Sequence, residues 1–101
     1  MDENAEILQR QEEQRHLLQL QAEQDFTWLM ADPRGRRLVW ADLARARVFH
    51  PIFDQNPSQM AFNEGGRQYG LWLLERINTL CPHLYLVMVQ ENTTNPDEVN
   101  A

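Results

Sequence analysis

The sequence predicts an all-α protein, a small bundle of four to five helices with a long polar N-terminal helix. Three observations point there. The first 24 residues are almost wholly Glu, Gln, Arg, Leu and Ala, without Pro or Gly. Two carboxylate- or amide-proline pairs, Asp32-Pro33 and Asn56-Pro57, repeat the cap-plus-proline device that opens helices. Apolar residues then recur at spacings of three and four, most clearly after Pro57.

Each element follows in order. Residues 1–24 form a helical arm in which Leu8, Arg15, Leu18 and Ala22 share a face. Gln11 and Gln14 interrupt any continuous apolar seam, so the arm is read as mostly exposed and anchored at its C-terminal half. The alternative is an arm that orders only against a partner. From Asp25 the style changes: Phe26, Leu29 and Met30 lie on one face and continue the helix or start a short second one. Asp32-Pro33 stops it and starts the next helix, to about Val48, with an inner stripe of Arg36/Arg37, Trp40, Leu43, Ala44 and Val48 and with Arg45 outward. His50 to Ser58 is a loop. Pro57 to Leu80 is a helix with Phe62, Gly66, Tyr69, Leu73, Ile77 and Leu80 on one side. Cys81-Pro82 ends it and begins a last helix to about Gln90. The run Leu84 to Val89 also suits a buried strand, but no second strand-like run exists to pair with it. The division is therefore a polar arm at 1–24, a compact domain at 25–91 and a disordered tail at 92–101.

Composition narrows the function classes. With 101 residues there is room for one core. The net charge of −6 gives the molecule as a whole no electrostatic reason to seek nucleic acid or an anionic membrane. The apolar run Leu84–Val89 falls far short of the roughly 20 residues that span a bilayer. The acidic start MDENAE is the opposite of a secretory signal, so a soluble, intracellularly made chain is expected. The lone Cys81 forbids an intrachain disulfide. His16, His50 and His83 lack partners at i+3 or i+4, and no phosphate-loop, nucleophile-elbow or zinc pattern occurs. The expectation is a protein without cofactor, metal site or catalytic residues.

Charge is unevenly placed. All nine basic residues are Arg, which reflects either bidentate anion contacts or codon bias. Residues 1–24 carry −4, residues 25–50 carry +2, and the segment from Glu91 carries −3. Arg34, Arg36 and Arg37 stand at a helix N-terminus, reinforced by Arg45 and Arg47, with Trp40 and Phe49 near enough in sequence to stack. Asp25, Asp32 and Glu64 are the nearest candidates to neutralise them within the protein. The second unusual cluster is Phe62 to Gly70. Glycine inside a helix costs about 1 kcal/mol against alanine, so Gly65, Gly66 and Gly70 ask for a reason. Gly66 and Gly70, four apart, form a smooth strip across which the first helix or the Trp40 helix is expected to cross. The alternative is a turn at Asn63–Gly66 with the helix starting after it. Glu64 and Arg67 can bond each other or join the Arg36/Arg37 cluster.

Taken together these clusters have the order D-F-x-x-L-M-x-x-P-x-G-R-R-x-x-W, then V-F and a loop Asn, then A-F-N-E-G-x-R-x-x-G-x-x-L, then P-x-L-Y-x-x-M. The pattern, carried by residues from Asp25, Phe26 and Pro33 through Arg67, Gly70, Tyr85 and Met88, resembles a family of small proteins from short-tailed bacteriophages of the Bordetella-phage type. It covers residues 25–91. The resemblance implies a virion-associated or structural protein of the head and portal region, made in the host cytoplasm, with no enzymatic activity attached. On that reading the partners are phage head or portal proteins, or further copies in a homo-oligomer. Acidic ends and a basic middle then dock between subunits, and Trp28, Trp40 and Trp72 serve as core or interface anchors. Two rival classes are a small acidic phage protein that modulates a host enzyme and a nucleic-acid binder using Arg34 to Arg47.

Overall fold

The structure, a computed structural model, describes residues 2–93. Four helices follow one another: α1 (Glu3–Ala31), α2 (Pro33–Arg45), α3 (Pro57–Leu80) and α4 (His83–Asn92). No strand occurs among the described residues, and Leu84–Val89 lies within α4. The predicted 94–101 part of the tail lies outside them.

Local chemistry sets the boundaries. Asp32 leaves the helical region at φ −103°, ψ 133°, as the residue before a proline must, and α1 ends. Its carboxylate then accepts the backbone N–H of Arg34 at 2.8 Å, and Pro33 takes the first position of α2. Asn56 does the same for α3, accepting from the backbone N–H of Ser58 at 2.9 Å and of Gln59 at 3.2 Å. At the end of α2 the chain turns through Arg47 at φ 61°. The N–H of Val48 donates to the carbonyl of Leu43 and that of Arg47 to Ala44, the paired bonds of a Schellman ending. Arg stands where glycine is usual, at a cost of roughly 1–2 kcal/mol. The turn delivers Val48 back into the core beside Leu43.

The core gathers Phe26 and Met30 from α1, Val39 and Leu43 from α2, Val48 from the turn after it, Leu73 and Ile77 from α3, and Cys81 and Met88 at the last junction and helix. α2 is central: it packs on α1, α3 and α4, and α3 also meets α4. Met30, Leu43, Ile77 and Met88 are wholly buried.

Several expected faces are rotated. In α2 the buried positions are Gly35, Arg36, Val39 and Leu43, whereas Arg37 and Ala44 are exposed and Trp40 is half-buried. In α3 they are Asn63, Gly70, Leu73 and Ile77, whereas Phe62, Gly66 and Tyr69 are exposed. The stripe chosen by bulk lies beside the true inner face, because Asn63 and Gly70 make contacts that no hydropathy count rewards. The anchoring of α1 also sits later than expected. Leu17, Leu18 and Leu20 are exposed, and burial begins at Phe26. The radius of gyration is 19.0 Å, against about 13 Å for a compact chain of this length. A projecting α1, roughly 43 Å long at 1.5 Å per residue, agrees with that.

Candidate functional site

The arginine cluster does not form one electropositive surface. Arg36 turns inward and is 6% exposed. Its Nε donates to Glu91 Oε1 at 2.7 Å, its Nη2 to Glu91 Oε2 at 2.8 Å, and its Nη1 to the carbonyl of Met30 at 2.8 Å. One guanidinium thus joins the ends of α1 and α4 to the start of α2, in the fork geometry that only Arg offers. The same bonds hold the Glu91 carboxyl below the ordinary range, with Arg37 adding a smaller charge effect. Arg34 folds back on Asp32 with Nε at 3.2 Å and Nη2 at 2.9 Å. That pairing, then the backbone N–H of Arg34, draws the Asp32 carboxyl down to about 2.

Arg37, Arg45 and Arg47 remain exposed. Trp40 stacks on Phe49, ring centroids 5.3 Å apart. Glu64 and Arg67 do not pair with each other: Glu64 accepts from Gln68 Nε2 at 2.8 Å, and Arg67 Nε is buried without a hydrogen-bond partner. Of the expected carboxylates, Asp32 takes Arg34, whereas Arg36 reaches Glu91, 55 residues away. No sequence signal marked that partner.

The glycines separate sharply. A Cβ on Gly70 would lie 2.4 Å from Val48 Cγ2 and 2.7 Å from Ala46 Cβ. What crosses Gly70 is therefore the turn after α2 rather than a helix. Gly66 and Gly65 meet nothing within 4 Å, so close packing does not explain Gly66, and the turn alternative fails because α3 runs unbroken through both. The tightest approach is one that the sequence reading passed over. A Cβ on Gly35 would lie 1.8 Å from the carbonyl oxygen of Leu29, backbone against backbone where α1 and α2 meet. Asn63 was also missed. Its Nδ2 donates to the carbonyl of Ile52 at 3.1 Å and its Oδ1 accepts from Gln59, pinning the loop before α3.

An apolar groove of about 630 Å³ opens between α1 and α3 over the flank of α2. Phe26, Leu29, Val39, Tyr69, Trp72 and Leu73 supply its apolar walls, with Asp25, Asp42 and Arg76 among them. Arg76 bridges the opening: its guanidinium carbon is 5.1 Å from the ring centres of both Phe26 and Trp72. It has no carboxylate partner among the described residues. Tyr69 and Trp72 are exposed and in contact, centroids 5.6 Å apart. Trp28 is 77% exposed and Phe62 76%. Among the described residues no three His, Cys, Asp or Glu side chains gather as a metal group. Burial pushes the Cys81 thiol up, away from the thiolate. No helix among the described residues is long and apolar enough to cross a membrane.

Fold and surface define a small helical domain with an open apolar groove and a projecting N-terminal helix. A family model for the Bbp19-like phage protein matches residues 26–90, and the chain belongs to that family. The match leaves most of α1 outside it. No curated protein and no solved structure gives a match.

Proposed function

We propose that this protein is a non-enzymatic component of the phage particle that works by packing against other subunits in the head and portal region. The observation that carries the reading is the surface. Trp28, Phe62, Tyr69 and Trp72 are exposed, and of the three Trp only Trp40 packs, half-buried, against the core. Tyr69 and Trp72 line the apolar groove, and exposed aromatic side chains so placed are the usual anchors of protein interfaces. Family membership supplies the phage setting. The burial of Arg36 and the closing of Arg34 onto Asp32 remove two of the five cations on which the nucleic-acid reading relied, and so favour a protein partner.

Peptide mass spectrometry of gradient-purified particles tests the reading, comparing full virions with empty proheads. Stoichiometric presence in virions is expected, and the copy number separates capsid, portal ring and internal core. Presence in proheads alone would change the role to assembly factor. Absence from both would overturn the reading in favour of a host-directed regulator.

A further inference from the structure

The face of α1 that leads into the groove carries a pattern of its own. Leu8, Gln11, Arg15, Leu18, Ala22, Asp25 and Leu29 follow one another at alternating spacings of three and four. An average of 3.5 keeps two helices in contact along their length. Leu8 and Leu18 are 61% and 58% exposed. At its C-terminal end the stripe runs into the groove, because Ala22, Asp25 and Leu29 form one of its walls. A helix laid on the stripe would thus pass from the arm into the groove, against Tyr69 and Trp72.

We propose that a second copy of this chain supplies that helix, and that two α1 helices pair antiparallel, each arm entering the other copy's groove. Charge decides the orientation. A parallel pair would set Arg15 against the partner's Arg15 and Asp25 against the partner's Asp25, two like-charge layers. Antiparallel, the register that faces Leu18 with the partner's Ala22 also faces Arg15 with the partner's Asp25 and Gln11 with the partner's Leu29. The two-fold axis makes each layer twice. A shift of one heptad either way sets Asp25 against the partner's Leu8 or the partner's Ala22, leaving a charge opposite an apolar side chain. Large meets small at the centre and cation meets anion on either side in this register alone. Arg15 contacts only Glu12 within its own chain, an exposed pair of little worth, so it is available. The paired stretch, Gln11 to Leu29, is roughly 28 Å of helix. It covers a helix that is otherwise unsupported, and isolated helices of this kind are marginal in water.

This rests on the packing role proposed above and names the partner, but solution and particle measurements test the two separately. Light scattering on the full chain across a concentration series should give twice the 11.9 kDa chain mass. Leu18→Glu should give a monomer whose thermal melt is otherwise retained, since that side chain lies outside the core. Arg15→Glu and Asp25→Arg should each weaken association about tenfold or more, and the double variant should return most of the lost affinity. Orientation is read by oxidising a mixture of Leu18→Cys and Ala22→Cys chains. The mixed disulfide is expected, whereas disulfides between identical chains would overturn the antiparallel pair. A monomer at every concentration, or no recovery in the double variant, would overturn the proposal while leaving presence in the particle to be judged by mass spectrometry.

Discussion

The first six turns of α1 and the unit formed by residues 26–92 are equally helical and are held by different forces. From Glu3 to Asp25 no side chain is buried, and the side-chain pairs run along the helix itself. Arg15 pairs with Glu12, Arg10 with Glu6, and Gln9 and Gln19 donate to Glu13 and Glu23. Such exposed pairs contribute about 0.2–0.5 kcal/mol each. From Phe26 onward, order comes from wholly buried side chains, from Arg36 reaching Glu91, and from backbone brought so close that only glycine fits at position 35. The difference teaches that helix content is no measure of tertiary support. The two regions should respond to substitution on different scales.

The largest break is expected at Gly35→Ala. The added methyl group meets a backbone carbonyl that no rotamer change can move, and a loss of about 3 kcal/mol follows. For a domain of this size that lowers the melting temperature by more than ten degrees, at roughly 4–8 °C per kcal/mol. Calorimetry checks it, and an unchanged melt would mean that the α1–α2 junction can open to admit the methyl group.

Next comes Arg36→Ala, which removes the bridge among three helices and leaves the Met30 carbonyl without its charged donor. A loss of about 2–3 kcal/mol is expected. The same bridge sets an acid dependence. Glu91 and Asp32 both have lowered folded-state values, so their stabilisation is complete above the ordinary carboxylate range. It is lost as pH falls through the lowered values, toward about 2 for Asp32. Urea titrations from pH 6 to pH 2.5 should show a steep acid limb. Glu91→Gln should flatten it, and a variant limb matching the native one would detach Glu91 from the effect.

A smaller pair sharpens the contrast within α3. Gly70→Ala should cost about 1–2 kcal/mol, since the clash with Val48 and Ala46 outweighs the better helix propensity. Gly66→Ala, facing open space, should instead gain up to about 1 kcal/mol. The opposite signs, read from paired denaturation midpoints, are the test. The smallest effect is expected in the arm, where Leu17→Ala, on an exposed side of α1 off the pairing stripe, should change stability by less than about 0.5 kcal/mol.

Much of the frame was legible. Asp32-Pro33, Asn56-Pro57 and Cys81-Pro82 place the helix breaks by constraints within a few residues of the break, and the structure has them there. The motifs from Asp25 to Met88 pointed to a phage family, and the chain belongs to one. The site was legible only in fragments. The arginines looked like one patch because they are neighbours in sequence, yet Arg34 and Arg36 leave in different directions toward Asp32 and Glu91. Gly66 and Gly70 looked alike and differ entirely in what they face. Arg76, which sits between Phe26 and Trp72, carried no motif.

What the sequence by itself determined is therefore whatever short-range physics decides: helical composition, caps, proline breaks and the charge laid along each segment. Only the tertiary structure decided which side of α2 and α3 turns inward, that Glu91 is the mate of Arg36, and that glycine is required at Gly35 and Gly70 but not at Gly66. Those outcomes depend on where a distant backbone or side chain arrives, and a hydropathy stripe cannot tell a large exposed Phe62 from a small buried Asn63 until the neighbours are in place.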